Sequence, residues 1–148
     1  MNDAKQVLLR GGLTWFPEGN LDLYMGAYLN TRAGITGNRT GMTVVPEYLL
    51  GAGIASRIWI EVFGSHGDML NYLEGNGYIV YNGPEMMKHK VSTNLVYPFT
   101  EKGSRIYLGA RWIQYRSTFT PLDSGTEGVI NPLTYNGFSF FGGISLRF

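Results

Sequence analysis

The chain has 148 residues, which is enough for one domain. It contains no cysteine, which excludes disulfide bonds, zinc thiolate sites and thiol catalysis, and its formal net charge of +1 gives no reason to expect nucleic acid as a partner. Its mean hydropathy of -0.07 fits the absence of any apolar run of the roughly 20 residues that a transmembrane helix needs. The 21 glycines, 10 tyrosines and 8 phenylalanines favour an all-β protein instead.

Seven stretches of the chain alternate apolar side chains with polar or small ones. Because successive side chains of a β-strand point to opposite faces, this alternation predicts seven strands, each with one apolar face. In chain order the predicted strands are 6–15, 21–32, 42–54, 57–65, 87–99, 105–119 and 135–148. In the second of them, Leu23, Met25 and Leu29 lie on one face and Asp22 and Tyr24 on the other.

The connections between these stretches alternate between short and long. The short ones are tight turns at 17–20, near 55–56 and at 100–103. The long ones are polar and cover 33–41, 67–86 and 120–132. Outer-membrane barrels have short periplasmic turns and long external loops, so this pattern predicts an antiparallel transmembrane β-barrel. The pattern requires that a short β-like segment at 78–81 belongs to an external loop and does not span the membrane.

About seven spanning strands are predicted, each near the roughly 9–11 residues that cross a bilayer. A complete bacterial barrel usually has an even number of strands. Residues 1–148 are therefore expected to form a single barrel segment, either the C-terminal part of a larger barrel or a part completed by another chain. A closed eight-stranded barrel made by this chain alone would contradict this expectation. The first residues show no secretion signal, so a signal is expected to have been removed or to belong to a longer chain.

Charged side chains fall on the face opposite the apolar one. The charges predicted to line the lumen are Arg10, Asp22, Arg32, Glu47, Glu61, Lys88, Lys90, Arg105, Arg111 and Arg147. A charge that faces lipid at the bilayer midplane costs about 2–4 kcal/mol, so their common face favours a polar lumen. In a wide lumen the basic excess would favour anions or acidic solutes. In a narrow lumen Glu47, Glu61, Arg105 and Arg111 would pair with one another and plug it.

The last strand is apolar on one face up to its final residue and small or polar on the other. Gly143 precedes apolar residues at alternate positions, among them Leu146, and the aromatic Phe148 comes last. This ending resembles the C-terminal strand that the barrel-assembly machinery of Gram-negative bacteria recognises. The resemblance implies a location in the outer membrane, with outer-membrane lipids and the assembly machinery as partners.

Three further segments carry a second resemblance: FPEGNLDLY (16–24), GDMLNYLEGNGYIVYNG (67–83) and KHKV (88–91). With them the chain resembles the C-terminal region of uncharacterised outer-membrane barrels of Bacteroidetes type. The resemblance implies a barrel fold, and it carries over no activity, cofactor or site residue.

Ser65, His66 and Asp68 form the only cluster of catalytic residue types, and some outer-membrane barrels are lipid hydrolases that use serine and histidine. Adjacent residues of a regular strand face opposite sides, so Ser65 cannot pair with His66, whereas His66 and Asp68 can pair near the external rim. A polar strand end that enters a loop is the favoured explanation of the cluster, and we expect no enzyme. His89 is expected on the outer face with no second histidine nearby, so neither a metal site nor a cofactor is predicted.

Alternation does not reveal which face meets lipid, because it is symmetric under exchange of the two faces. A soluble, lipocalin-like barrel that binds a small ligand would have the apolar face inside and the charged face in water. Aromatic residues near the strand ends favour the membrane. The predicted function is an integral outer-membrane barrel that forms the wall of a porin-like pore or transporter, or a scaffold within an outer-membrane assembly. Leu23, Ile60, Leu108 and Ile144 are then predicted on the lipid side.

Overall fold

The described part of the computed structural model is built from β-strands. The structure describes residues 4–36, 39–54, 57–69, 72–74, 79–81, 85–101, 103–117 and 133–147. The strands are β1 (Ala4–Trp15), β2 (Leu23–Thr36), β3 (Arg39–Ile54), β4 (Ile58–His66), β5 (Tyr72–Glu74), β6 (Ile79–Tyr81), β7 (Met86–Pro98), β8 (Arg105–Ser117) and β9 (Leu133–Ser145). Within these ranges no helix has the length and apolar character to cross a membrane.

Seven of the strands form one antiparallel sheet in the order β1–β2–β3–β4–β7–β8–β9. The prediction of an all-β chain with seven antiparallel strands is therefore confirmed. β5 and β6 form a separate two-stranded sheet, in agreement with the prediction that this part of the chain adds no strand to the main sheet. The main sheet is not closed into a barrel, because β1 and β9 stand at its two edges.

The connection predicted at 33–41 is mostly strand. β2 continues to Thr36, β3 begins at Arg39, and the β2–β3 ladder runs without a shift as far as this last pair. The predicted long loop is wrong at this position because two paired strands satisfy each other's backbone hydrogen bonds whatever the polarity of their side chains. The connection predicted at 120–132 lies outside the described residues.

The two faces of the main sheet differ in both side-chain type and exposure. The exposed face carries Leu13, Trp15, Met25, Leu29, Leu50, Leu108, Phe138, Phe140 and Ile144. The sheltered face carries Arg10, Tyr24, Tyr28, Asn30, Glu47, Glu61, Phe63, Ser65, Lys90 and Arg111. Phe138 and Phe140 are 71% and 82% exposed, whereas Ser65 and Lys90 are both 0% exposed. This distribution is the reverse of that in a water-soluble domain, where apolar side chains are buried and charges are exposed.

Cross-strand pairing brings the predicted lipid-side residues onto one face. Leu23, Ile60 and Leu108 belong to a single row that crosses the sheet through directly paired residues. Ile144 lies in the adjacent row of the same face, opposite Ile106. Leu108 and Ile144 are exposed, and the other two are half-buried. The four residues therefore share one face of the sheet, as alternation predicted, and contact of that face with lipid stays a prediction.

Aromatic rings of the main sheet lie directly over glycines of neighbouring strands. A methyl group added to Gly51 would lie 2.2 Å from Tyr24 Cζ, and one added to Gly109 would lie 2.2 Å from Phe141 Cε2. Both separations are far below van der Waals contact, so at these positions glycine provides the space that a ring from the next strand fills. Close packing of this kind accounts for part of the high glycine content of the strands.

A register shift in the β7–β8 ladder falls between Met87 and His89. Lys88 is the extra residue of this bulge, and its ammonium group forms an ion pair with Asp68. Strict alternation placed Lys88 beside Lys90 on the lumen face. The bulge interrupts that alternation, and the ion pair with Asp68 connects Lys88 to the segment that follows β4.

Candidate functional site

The sheltered face contains a row of side chains in which polar and charged groups are deeply buried. Direct cross-strand pairs align Tyr28, Glu47, Ser65, Lys90 and Ile113 over five strands. Ile113 also belongs to a small apolar cluster with Val45, Met69 and Met87. Among the described residues, polar and charged side chains make up most of the buried set. The buried part of the sheltered face is therefore mainly polar, with one apolar patch.

Arg10 and Glu47 form an ion pair on this face across the intervening strand β2. Arg10 Nε donates to Glu47 Oε2 at 3.2 Å, and Arg10 Nη2 lies 3.1 Å from the same oxygen. The side chain of Glu47 is 3% exposed and that of Arg10 is 39% exposed. The guanidinium carbon also lies 4.4 Å from the centroid of the Tyr28 ring. The ion pair thus ties the edge strand β1 to β3.

Replacing Arg10 by alanine is expected to lower the free energy of unfolding by about 1–2 kcal/mol, because the buried Glu47 loses its cation. The cost stays below that of a fully buried pair because water already reaches the arginine. The measurement is urea unfolding followed by tryptophan fluorescence in micelles of an uncharged detergent. In a double-mutant cycle, Arg10→Ala should cost less when Glu47 is already glutamine. Equal costs in the two backgrounds would show that the pair contributes nothing.

Tyr24 lies at the start of β2 and makes several side-chain contacts on the sheltered face. Its hydroxyl group donates a hydrogen bond to Glu61. Its ring stacks on Trp59 with centroids 5.5 Å apart and lies 5.9 Å from Phe16. Together with the ring's position over Gly51, these contacts hold Tyr24 from four sides. A tyrosine is therefore the partner of Glu61, for which the narrow-lumen alternative predicted an arginine.

The four-residue plug predicted for a narrow lumen is not present among the described residues. Neither Glu47 nor Glu61 forms an ion pair with Arg105 or Arg111. Arg111 instead lies with its guanidinium carbon 5.7 Å from the centroid of the Phe141 ring. Its Nε is buried and has no hydrogen-bond partner within the part of the chain that the structure describes.

The remaining charges predicted to line the lumen occupy different parts of the face. Lys90 is fully buried at its centre. Arg32 is half-buried towards the β2–β3 hairpin. Asp22, Arg105 and Arg147 are exposed and lie at the short-turn end, which we define as the end of the sheet at which β2, β4 and β8 begin.

Ser65, His66 and Asp68, the cluster of catalytic residue types, each contact a different partner and not one another. His66 Nδ1 lies 2.7 Å from His89 Nδ1, and the imidazole of His66 stacks on Tyr48 with centroids 5.6 Å apart. Asp68 pairs with Lys88, and the His66–Asp68 pair that the sequence allows is not formed. The prediction that His89 has no second histidine nearby is wrong, since β4 and β7 pair so that the two histidines face each other. No group of three or more possible metal-ligating side chains occurs in the described ranges.

Two of the three residues of the predicted assembly signal lie in the described part of the chain. Gly143 lies beneath Tyr107, and a methyl group on it would be 2.2 Å from the tyrosine hydroxyl. Leu146 follows β9 and is exposed. Phe148 lies outside the described residues. The role of this ending as an assembly signal stays a prediction.

No protein-family model, curated protein or solved structure matches the chain. The resemblance to outer-membrane barrels of Bacteroidetes type therefore stays a prediction based on the quoted segments.

Proposed function

We propose that this chain forms part of the wall of an outer-membrane β-barrel in a Gram-negative bacterium. In this proposal the exposed face contacts lipid and the sheltered face lines the lumen. The observation that carries it is the reversed burial of the sheet, with Phe140 exposed and Lys90 enclosed. Lipid favours apolar side chains on the outside of a barrel, while polar side chains point into the lumen. A soluble ligand-binding barrel needs the opposite arrangement, with the apolar face inside.

The direction of the edge strands supports completion of the barrel by further strands. Each of the seven strands is antiparallel to its neighbours, so β1 and β9 run in the same direction. Closing the barrel through antiparallel pairs at both edges therefore needs an odd number of additional strands. We propose that these strands come from the same protein or from a partner chain. The barrel-assembly machinery would then recognise the final strand, and we assign no catalysis to this barrel.

Whether the completed barrel is an open pore or a scaffold depends on the width of its lumen. The arginine–glutamate and tyrosine–glutamate contacts of the sheltered face occupy the carboxylates of Glu47 and Glu61. Arginines that have no acidic partner among the described residues would make an open lumen favour anions. Single-channel conductance in a planar bilayer distinguishes the two roles, because a plugged barrel gives no current.

The three tryptophans of the chain test the proposed membrane orientation directly. Trp15 and Trp112 lie on the exposed face, and Trp59 lies on the sheltered face. Three variants, each keeping one tryptophan and carrying phenylalanine at the other two positions, are reconstituted in vesicles of lipids with brominated acyl chains. The bromine is expected to quench Trp15 and Trp112 strongly and Trp59 weakly, because quenching requires contact with the acyl chains.

A water-soluble quencher such as acrylamide provides the complementary measurement and is expected to reach Trp59 most easily. Stronger bromine quenching of Trp59 than of Trp112 would reverse the proposed orientation. If the chain stays monodisperse in buffer without detergent and does not enter vesicles, the membrane proposal is wrong and the soluble alternative is favoured.

A further inference from the structure

A cavity of about 600 Å³ opens on the sheltered face at the short-turn end. Its wall includes the side chains of Asp22, Arg57, Trp59, Arg105 and Arg147. Trp59 and Arg105 lie at the starts of β4 and β8, Asp22 and Arg57 just before β2 and β4, and Arg147 just after β9. The volume lies within the range of 300–1,000 Å³ that is typical of sites for small organic ligands.

The charge in this cavity is unbalanced. Three guanidinium groups line it against the single carboxylate of Asp22, which already accepts a hydrogen bond from Asn20 Nδ2 at 3.0 Å. None of the three arginines forms an ion pair with an acidic side chain in the described part of the chain. Three positive charges and one negative charge leave an excess of two positive charges around a space that is open to solutes.

The framework around these charges is held in place by backbone pairing and ring stacking. The Arg147 amide donates to Ser104 Oγ at 3.0 Å, which attaches the end of β9 to the turn before β8. Arg105 is paired in the ladders on both of its sides. Trp59 stacks on Tyr24, so it forms a rigid aromatic wall beside the arginines. A preorganised wall lowers the entropy that a ligand loses on binding.

We infer that this cavity binds a soluble polyvalent oxyanion, a small molecule with phosphate or carboxylate groups. Arginine binds both groups through paired N–H donors, and the indole of Trp59 can contact an apolar or planar part of the ligand. The site lies on the face away from the apolar exposed face, which favours a solute over a lipid headgroup. The inference depends on the cavity alone and stands whether or not the sheet is part of a membrane barrel.

Isothermal titration calorimetry with pyrophosphate, and separately with citrate, tests the inference on the full chain in micelles of an uncharged detergent. Saturable binding of at least one of the two is expected. Arg147→Gln and Arg105→Gln should each weaken it about tenfold, and the double variant should abolish it. Arg147→Lys keeps the charge but loses the paired donors, so it should weaken binding less than Arg147→Gln. Arg116→Gln is the matched control, because Arg116 is an exposed arginine of β8 outside the cavity.

Fluorescence of a variant that keeps only Trp59 gives an independent readout, and its change should saturate at the same concentrations. Far-UV circular dichroism checks that the variants keep the sheet, and Arg147→Lys carries the test if the double variant does not fold. The inference is overturned if neither anion binds saturably, or if Arg116→Gln weakens binding as much as Arg147→Gln. It is also overturned if only phosphatidylglycerol added to the micelles changes the Trp59 signal, since the ligand would then be a lipid headgroup.

Discussion

Replacing Phe140 by arginine is expected to destabilise the protein in a lipid bilayer by about 2–4 kcal/mol, the cost of a charge on the lipid face of a barrel near the midplane. Phe140 is 82% exposed and lies near the middle of β9. In a water-soluble protein the same change at so exposed a position would be within about 0.5 kcal/mol of neutral. The size of the effect therefore separates a lipid-contacting face from a water-contacting one. Urea unfolding of vesicle-reconstituted protein, followed by tryptophan fluorescence, measures it.

Two controls accompany this substitution. Phe140→Leu keeps the apolar character and should cost much less than Phe140→Arg. Ser139→Asp places a charge at the adjacent position on the sheltered face, directly opposite Arg111, whose Nε has no partner in the described ranges. That change is expected to be tolerated, because the new carboxylate meets a cation. Similar losses for Phe140→Arg and Ser139→Asp would contradict the assignment of the two faces.

Replacing Gly51 by alanine is expected to lower the free energy of unfolding by about 2–3 kcal/mol through overpacking. The added methyl group would lie 2.2 Å from the ring of Tyr24. That ring cannot move away without losing its hydrogen bond to Glu61 and its stacking on Trp59. The substitution therefore disturbs three strands at once. Urea unfolding in uncharged micelles measures the loss.

Gly11→Ala is the matched control, because no atom lies within 4 Å of a methyl group added to Gly11. It is expected to be neutral or slightly stabilising, since alanine restricts the unfolded chain more than glycine does. In a double-mutant cycle, Gly51→Ala should cost less when Tyr24 is already alanine, because the ring that the methyl group meets is then absent. If Gly51→Ala and Gly11→Ala have equal effects, the close packing of Tyr24 over Gly51 contributes nothing to stability.

Side-chain alternation predicted the strands and their faces well, because both depend on local geometry. A strand has a period of two residues, so Leu108 and Arg111 are assigned to opposite faces whatever their partners are. The same reasoning recovers the seven strands of the sheet and the separation of β6 from it. It fails at Lys88, where one extra residue in a bulge changes the alternation and no local signal in the sequence marks the bulge.

Contacts between strands that are distant in sequence were not predictable in this way. The register of β4 against β7 is not set by a tight turn, because a long connection joins them. The His66–His89 contact depends on that register and was missed. Glu47 illustrates the same limit, since its position on the charged face suggested a partner in Arg105 or Arg111 for a narrow lumen but did not indicate Arg10. The number and spacing of glycines gave no indication of which ring covers Gly51.

The sequence by itself determined most of the strand residues and, away from the bulge at Lys88, which side chains share a face, because both follow from a two-residue period and from the free energy of placing a charge or an apolar group. Only the tertiary structure decided which strands are neighbours, in which register they pair, and which charges meet. These properties depend on backbone hydrogen bonds between segments far apart in the chain, and almost every residue type can form such bonds. The arginine-lined cavity belongs to this second class, since its three arginines come together only when the ends of β4, β8 and β9 are aligned.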